Sequence, residues 1–336
     1  MPVIKQEEQK KTMRKFNLKE NAARRIRDLE KAGAPCAEER QNPDQDAASA
    51  VVPAGGIHYA WRTDVGRVRK NNQDAIIIGN GLMGVADGMG GHNGGEIASG
   101  GLRDGLLRET EHRTADSRTL EEAVTRVNLE LWQKQEYDAS LTGMGTTLTV
   151  LWPGENEMIL AQVGDSRAYL IRDGRMRKVT EDHSMVADMV RRGVLTEEQA
   201  ACHPMRNYIT RAVGTEDTIE VDLYREKRQK GDRWLICSDG LYGQMDRGTL
   251  EKLAAGENLE EAADALLQTA LENGGKDNIS LILIDDLIEP EQEKEPNGTT
   301  DPSETENKDG AESVPSQSEA APEQHDAADV EGEAME

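Results

Sequence analysis

Four short blocks of this sequence each carry an aspartate, most of them at the end of a hydrophobic run. They are residues 72–74 (Asn-Gln-Asp), 85–91 (Val-Ala-Asp-Gly-Met-Gly-Gly), 236–240 (Ile-Cys-Ser-Asp-Gly) and 276–278 (Lys-Asp-Asn). A carboxylate at the end of a buried strand is costly to desolvate unless a partner compensates it. One Asp-Gly step is an ordinary turn, but several such ends favour a cluster of carboxylate oxygens, which hard cations such as Mg²⁺ and Mn²⁺ bind. The sequence therefore predicts a carboxylate-bound metal centre.

These blocks resemble those of the metal-dependent serine/threonine protein phosphatases of type 2C, in their bacterial form. Further segments of that pattern follow in the expected order: residues 145–147 (Gly-Thr-Thr), 163–167 (Val-Gly-Asp-Ser-Arg), 182–184 (Asp-His-Ser) and 211–214 (Arg-Ala-Val-Gly). Any one of these segments is a weak indication, whereas their ordered set is specific. The resemblance covers residues 56–286, which is long enough for a whole domain.

The apolar patterns predict an α+β fold. Residues 57–63 alternate like a half-buried strand, and two apolar runs flank Gly-Asn-Gly at residues 79–81, which is a hairpin signal. Further strands are predicted at residues 146–152, 158–163, 167–171 and 279–284, and helices at 94–108, 120–137 and within 250–273. Strands in hairpins with segregated helices favour antiparallel sheets. The fold that the resemblance implies agrees with this: a four-layer αββα sandwich, in which two antiparallel β-sheets are flanked by helices, with a flap subdomain.

The resemblance assigns the metal ligands. Asp87 matches a carboxylate that bridges two ions, and the carbonyl of Gly88 is expected on the second ion. Asp239 and Asp277 match the remaining ligands of the first ion, and Asp165 matches a carboxylate that contributes to a third, weaker site in bacterial relatives. The expected cofactors are therefore two Mn²⁺ or Mg²⁺ ions, with a weaker third. Each aspartate taken alone could instead be an N-cap or a turn residue.

The same resemblance implies the reaction and its catalytic residues. Two metal ions lower the pKa of the water between them, and this water would attack the phosphorus of phosphoserine or phosphothreonine directly, with no phosphoenzyme. Asp74 matches a residue that holds metal-bound waters. Arg69 matches the arginine that binds the phosphate, and a guanidinium fork suits a tetrahedral dianion.

Two positions depart from the eukaryotic pattern. Gln73 stands where some eukaryotic members have a glutamate that reaches a water on the second metal ion, so affinity for that ion could be weaker. Met89 stands where those members have a histidine proposed as the general acid. His92 is a candidate substitute, because its ordinary pKa lies close to neutral; the alternative is that it caps the following helix or faces solvent. Bacterial members share the Asp-Gly-Met-Gly-Gly-His sequence, so an active enzyme is still expected.

The segment at residues 182–214 is expected to be the flap beside the active site. Its apolar residues Met185, Val186, Met189 and Val190 predict a short amphipathic helix. The basic pair at residues 191–192 follows and could attract a phosphopeptide, although ordinary surface charge is the commoner explanation of such a pair.

Charge divides the chain into three parts. Residues 289–336 carry sixteen Asp/Glu against two Lys and few large apolar residues, which predicts a disordered acidic tail and argues against nucleic acid as a partner. Residues 1–31 carry ten Lys/Arg against five Asp/Glu, and their apolar residues approximate one helical stripe. Such a segment could bind a membrane surface or a partner helix, stay a solvated helix, or fold against the domain. We therefore predict a basic helical arm and linker at residues 1–55, the phosphatase-like domain at 56–288 and the tail at 289–336.

The sequence shows no secretory signal and no apolar stretch long enough for a transmembrane span. Its three cysteines are far apart and odd in number, which favours a reducing cytoplasm. The expected partners are phosphorylated proteins and a serine/threonine kinase that the enzyme opposes, and the chain is expected to be a monomer.

Two other functions remain open at this stage. One is a non-catalytic module of the same fold that senses metal or phosphoprotein. The joint presence of Asp87, Asp239, Asp277 and Arg69 weighs against it, because a pseudo-enzyme usually loses at least one such residue. The other is a phosphatase of small phosphorylated metabolites, against which only the open site of the family argues.

Overall fold

A computed structural model of the protein describes residues 47–52, 56–90 and 94–288. These belong to the first of two units into which the chain divides, Met1–Pro290; the second unit is Glu291–Glu336. The predicted basic arm, the acidic tail and the candidate acid His92 lie outside the described residues.

The described strands form two sheets in which all pairs are antiparallel. The strands of sheet one are β1 (Ala47–Val52), β2 (Ile57–Asp64), β8 (Arg167–Arg172), β9 (Arg175–Lys178), β11 (Arg233–Cys237) and β12 (Ile279–Asp286). The strands of sheet two are β3 (Asp74–Gly79), β4 (Leu82–Met89), β5 (Gly145–Thr146), β6 (Leu148–Pro153), β7 (Glu157–Val163) and β10 (Asp222–Lys227). Sheet one has the order β1-β2-β12-β11-β8-β9, and sheet two has the order β10-β7-β6-β4-β3, with β5 also paired to β4.

Helices cover the outer face of each sheet. The described helices are α1 (Gly94–Glu109), α2 (Ser117–Tyr137), α3 (Met185–Arg191), α4 (Glu197–Ala201), α5 (Asp239–Tyr242), α6 (Arg247–Ala254) and α7 (Leu259–Glu272). Helices α1 and α2 pack on sheet two, whereas α7 packs on β2 and β12 of sheet one. The predicted four-layer αββα sandwich is therefore confirmed.

Three apolar clusters fill the spaces between these layers. One joins sheet two to α1 and α2, one joins sheet one to α6 and α7, and the third lies between the sheets and contains Trp234 and Ile282. Strands buried on both faces show no alternation, as in β12, whose first six residues are all buried. Burial on both sides explains why the sequence of such strands reads as a continuous apolar run.

Residues 47–52 correct one interpretation, because they lie in the segment predicted to be linker and instead form β1. The backbone of β1 pairs with β2 from Ala47↔Arg62 to Val52↔Ile57 and extends sheet one by a strand. Flanking prolines and glycines dominated the sequence pattern there, whereas the open edge of β2 supplies the hydrogen-bonding partner that a short Ala- and Val-rich segment needs.

The segment at residues 182–214 contains α3 and α4. The helix predicted after Ser184 is α3, and the Ser184 side chain caps it by accepting a hydrogen bond from Ala187 N. The segment returns beside its own start, since Ser184 and Ile209 form an antiparallel bridge and Thr210 N donates to His183 O (2.9 Å). Within the described ranges, no helix combines the length and apolar composition needed to cross a bilayer.

Candidate active site

Four of the predicted aspartates gather where the two sheets meet. Asp74 and Asp87 are paired across β3 and β4 in sheet two. Asp239 begins α5 directly after β11, and Asp277 precedes β12, so both come from sheet one. Ser238 joins the two groups, because its hydroxyl donates to Asp74 Oδ2 (3.0 Å). The ordered blocks of the sequence thus converge on one place.

Hydroxyls of the Gly-Thr-Thr segment hold Asp87 in position. Asp87 N donates to Thr147 Oγ1 (2.9 Å), and Asp87 O accepts from Thr147 N (2.9 Å) and Thr146 Oγ1 (3.0 Å). The Thr147 hydroxyl also contacts Ser166 Oγ (2.8 Å). These contacts explain why the segments at residues 145–147 and 163–167 accompany the aspartate, since they fix the backbone that carries it.

Close packing of backbone requires glycine at position 88. A Cβ atom on Gly88 would lie 2.1 Å from Gly95 O and 2.5 Å from Gln73 O, so no side chain fits. Gly88 N donates to Gln73 O (3.1 Å), and the Ser99 hydroxyl donates to the same oxygen (2.6 Å). The first turn of α1 therefore presses against the strand end that carries Asp87 and the Gly88 carbonyl.

Burial and mutual repulsion disfavour the ionised form of the carboxyl groups in this cluster. Burial raises the pKa of Asp87 well above its ordinary value, and repulsion from Asp74 and Asp239 adds to the rise. Burial also raises the pKa of Asp74 to about 7, against the hydrogen bond from Ser238 that lowers it. The pKa of Asp239 rises to about 6 through burial and repulsion from Asp277. A divalent cation would relieve this repulsion, and its binding would release protons.

One oxygen of the cluster lacks a donor. Among the described residues, Asp74 Oδ1 is a buried side-chain atom with no hydrogen-bond partner. A buried acceptor without a donor costs free energy. This oxygen therefore suits a metal-bound water, which is the role that the sequence predicted for Asp74.

Asp277 is paired with Arg69. Arg69 Nη2 donates to Asp277 Oδ2 (2.8 Å), and the two side chains are 48 % and 26 % exposed. In the part of the chain that the structure describes, no three His, Cys, Asp or Glu side chains form a ready-made chelate. The carboxylates therefore lie near one another, but no three of them are arranged around a common point where a metal ion would sit. Their oxygens, their raised pKa values and the unpaired atom of Asp74 still fit a hard divalent cation.

Asn278 is a structural residue of the site that sequence analysis did not assign. Its Nδ2 donates to Val65 O (3.0 Å) and Asn71 O (2.9 Å), and its Oδ1 accepts from Gln73 N (2.9 Å). One amide thereby holds the loop that carries Arg69. The signal available in the sequence was the Lys-Asp-Asn block itself, where the residue after the aspartate is also polar.

Asp165 belongs to the same electrostatic group. It is 4 % exposed, and its pKa rises to about 8 through burial and repulsion from Asp239 and Asp182. Its backbone carbonyl accepts from the Tyr242 hydroxyl (3.0 Å). Asp165 as a third-site ligand stays a prediction, and so does its alternative as a turn residue.

Arg167 and Asp182 connect the turn at Asp165 to the start of the flap. Arg167 Nη2 donates to Asp182 Oδ2 (2.6 Å), and the guanidinium lies 3.6 Å from the centroid of the Tyr242 ring. Burial alone would raise the pKa of Asp182, but Arg167 and Lys178 lower it below its ordinary value. The sequence contained both residues within matched segments but gave no reason for pairing them.

His183 ties the flap to the core. It is 4 % exposed, its Nδ1 accepts from Gly164 N (3.0 Å), and its Nε2 lies 3.1 Å from Asp222 Oδ2. Arg211 Nη1 donates to Asp222 Oδ1 (2.6 Å) from the far end of the segment. The Asp-His-Ser and Arg-Ala-Val-Gly segments therefore meet at Asp222, a residue that sequence analysis missed.

Cys237 has no part in the site chemistry. It is fully buried in the cluster between sheet one and its helices, and burial raises the pKa of its thiol to about 12. A thiol that stays protonated is a poor nucleophile, so Cys237 is a small residue of the core.

A sequence model of the family described as protein phosphatase 2C matches residues 66–283. The serine/threonine phosphatase stp of Listeria innocua is 37% identical over 247 residues, which cover 68% of this chain and 96% of that protein. The serine/threonine protein phosphatase PstP of Mycobacterium tuberculosis is 37% identical over 231 residues, which cover 68% of this chain and 45% of that protein.

Solved structures give the same relationship. The crystal structure of the M. tuberculosis phosphatase PstP/Ppp superposes with a TM-score of 0.65 at 36% identity, covering 68% of this chain and 98% of that one. The catalytic domain of PstP in complex with two manganese ions superposes with a TM-score of 0.64 at 35% identity, covering 68% and 97%.

Proposed function

Because the chain belongs to the protein phosphatase 2C family and is a serine/threonine protein phosphatase, we propose that it hydrolyses phosphoserine and phosphothreonine with two divalent cations held by its aspartate cluster. The observation that carries the proposal is the meeting of Asp74, Asp87, Asp239 and Asp277 at one place, with pKa values raised by burial and mutual repulsion. Because ionisation of these carboxyl groups is unfavourable, binding of a cation stabilises the cluster.

The roles proposed for the ligands are those that the family resemblance implies. Asp87 would bridge the two ions and the Gly88 carbonyl would face the second, while Asp239 and Asp277 would bind the first. Bound Mn²⁺ or Mg²⁺ would supply a water of lowered pKa, able to attack phosphorus directly. Asp165 would contribute to a third, weaker site, which its repulsion with Asp239 supports.

Arg69 would bind the phosphate of the substrate. Its side chain is half-exposed beside the cluster and its loop is fixed by Asn278, so little ordering is needed on binding. Arg69 now pairs with Asp277. A cation on Asp277 would compete for that carboxylate and leave the guanidinium fork to the phosphate oxygens.

The remaining catalytic roles concern two residues. Asp74 would orient water through Oδ1, its unpaired buried oxygen. We propose His92 as the acid that protonates the leaving alkoxide, since the thioether of Met89 has no proton to give. The support for His92 is its place three residues after Met89 and its near-neutral ordinary pKa.

The proposed substrates are cytoplasmic proteins phosphorylated by a serine/threonine kinase, which this monomeric enzyme would oppose. Both the Listeria and the Mycobacterium relatives bear the name of serine/threonine phosphatase, which supports this substrate class. The names of both relatives also speak against a mere binding module.

One experiment separates the proposal from its alternatives. Hydrolysis of a phosphothreonine peptide is measured with Mn²⁺ and with EDTA, beside a phosphotyrosine peptide and a sugar phosphate. We expect turnover of the phosphothreonine peptide that requires Mn²⁺. No turnover of any substrate would favour a sensing module, and preferential turnover of the sugar phosphate would favour a metabolite phosphatase.

A further inference from the structure

A basic loop borders the candidate active site of an otherwise acidic domain. Residues 56–288 carry 27 Lys/Arg against 39 Asp/Glu. Within them, Arg67, Arg69 and Lys70 lie on one exposed loop between β2 and β3, and Lys276 is exposed next to Asp277. Positive charge is therefore concentrated beside the cluster where a phosphate is expected.

The loop is held in place rather than free. Arg67 N donates to Gly275 O (2.7 Å), and a Cβ atom on Gly275 would lie only 2.9 Å from Arg67 Cγ. The stem of Arg67 thus lies against the turn that leads into Asp277. Asp64 Oδ1 accepts from Gly66 N (2.7 Å) at the start of the loop. Its cations are accordingly presented at fixed backbone positions.

Most arginines in the described ranges are held by carboxylates, as in Arg62–Asp264, Arg172–Asp232 and Arg233–Asp285, and Arg67 differs from them.

Within the same ranges, Arg67, Lys70 and Lys276 make no ion pair, and only Arg69 of the basic loop does. The exposed carboxylate nearest to Lys276 in the sequence is that of Glu272, at the end of α7. In a domain with an excess of acid, cations left unpaired around a catalytic cluster are available to an anionic ligand.

We propose that Arg67, Lys70 and Lys276 form a subsite that binds acidic side chains flanking the phosphorylated residue of a protein substrate. This subsite rests on the proposed function, because the phosphate is placed by Arg69, which lies between Arg67 and Lys70 in the sequence. Successive residues of an extended peptide are about 3.3–3.6 Å apart, so residues within a few positions of the phosphate reach the neighbours of Arg69. Val68 is 66 % exposed between the cations and offers an apolar contact to the peptide.

The test compares two phosphothreonine peptides with the full chain. One carries Asp and Glu around the phosphothreonine, and the other carries Asn and Gln at the same positions. The double variant Arg67→Gln/Lys70→Gln is matched by Arg113→Gln/Arg175→Gln, which removes the same charge at the opposite ends of the sheets. Arg113 lies beside Thr110, which contacts the β3–β4 turn, and Arg175 begins β9, paired with Arg172 at the end of β8 that is remote from Arg167.

We expect the chain to prefer the acidic peptide in kcat/KM, and Arg67→Gln/Lys70→Gln to reduce that preference about three- to tenfold, mostly through KM. Hydrolysis of the neutral peptide by that variant should be nearly unchanged, and the difference should shrink as salt rises.

Three results would overturn the subsite. An equal loss in Arg113→Gln/Arg175→Gln would indicate general attraction by net charge. An equal loss on both peptides would make Arg67 and Lys70 structural. A gain in activity for Arg67→Gln/Lys70→Gln would mean that the acidic tail of the same chain, residues 289–336, occupies the loop. Absence of turnover on either peptide would refute the proposed phosphatase function itself, which is a distinct outcome.

Discussion

Arg69 has two candidate anionic partners, the Asp277 carboxylate and a substrate phosphate, and it cannot pair fully with both at the same time. It pairs with Asp277 in the structure, yet it is also the guanidinium that we propose binds the substrate phosphate. A pair that is half-exposed contributes little to stability, so exchanging Asp277 for a phosphate costs little. The pair is therefore not a main support of the fold.

Substitution Arg69→Ala tests this. We expect KM for phosphopeptides to rise about tenfold or more, because a charged hydrogen bond to the ground-state phosphate is lost, with a smaller fall in kcat. Affinity for Mn²⁺, measured by calorimetry, should not fall, since Asp277 loses its competitor. An unchanged KM with a large loss of kcat would instead give Arg69 a role only in the transition state.

The aspartates give a second prediction at this scale. Asp239→Asn and Asp277→Asn should each lower turnover by orders of magnitude, because losing a ligand charge weakens metal binding and raises the pKa of bound water. The exposed substitution Asp104→Asn on α1 is the control.

Stability separates this effect from unfolding. The raised pKa of Asp239 means that its charge is unfavourable in the metal-free fold. Asp239→Asn should therefore leave the Tm in EDTA equal or higher. Near-native turnover with stoichiometric Mn²⁺ would remove both residues from the ligand set.

The identities of the site residues could be predicted from the sequence, but their contacts could not. The aspartates were recognisable because each stands in a short block with its own residue pattern. The pairs Arg69–Asp277 and Ser238–Asp74 join residues 208 and 164 positions apart. Contacts of that kind depend on how the two sheets pack together, and the spacing of residues within a short block carries no information on that packing.

At the scale of elements, strands with a clear apolar pattern and turn residues were predicted well. The hairpin of β3 and β4 turns at Asn80, whose φ of 51° is one that asparagine tolerates. Strand β10 was missed, because it is a polar and partly exposed edge strand. It owes its conformation to pairing with β7, and tertiary context of this kind overrides propensity.

The flap yields a prediction on pH. Burial lowers the pKa of His183, the hydrogen bond to Asp222 opposes the shift, and Arg211 adds to it. A histidine whose pKa is lower in the fold contributes stability above its unfolded value, about 6.5, and this is lost as pH falls towards the folded value. A protonated Nδ1 could no longer accept from Gly164 N.

We expect hydrogen exchange in residues 182–214 to become faster between pH 7.5 and pH 5.5, after correction for the intrinsic pH dependence, while sheet two stays protected. Substitution His183→Gln should raise exchange in the flap at pH 7.5 and remove most of its pH dependence. The same pH dependence in His183→Gln would assign the effect to another group.

At the scale of the whole molecule, a strongly acidic segment follows a domain that carries a basic loop beside its candidate active site. The tail at residues 289–336 carries sixteen Asp/Glu against two Lys. Arg191 of the basic pair contacts Glu181 and Asp188, whereas Arg192 makes no ion pair with another described residue.

Removal of the tail should therefore raise kcat/KM for acidic phosphopeptides at low salt, whether the tail repels them or competes with them. The effect should fade with added salt, because the Debye length falls from about 30 Å at 0.01 M to about 10 Å at 0.1 M. Full-length and tail-free protein are compared across a salt series. A salt-independent difference would contradict the electrostatic account.

The last prediction concerns how much of the chain the domain needs. Every matched segment and the three apolar clusters lie within residues 57–284, so a protein trimmed to residues 55–288 should fold and hydrolyse a phosphothreonine peptide. Trimming to residues 47–288 keeps β1 and its pairing with β2. The shorter protein exposes the edge of β2, and an unpaired edge favours association between chains. We expect equal kcat for both, with a lower Tm and more aggregation for 55–288. An inactive 47–288 protein would place required residues in the flanks, and equal Tm values would show that β1 contributes nothing to stability.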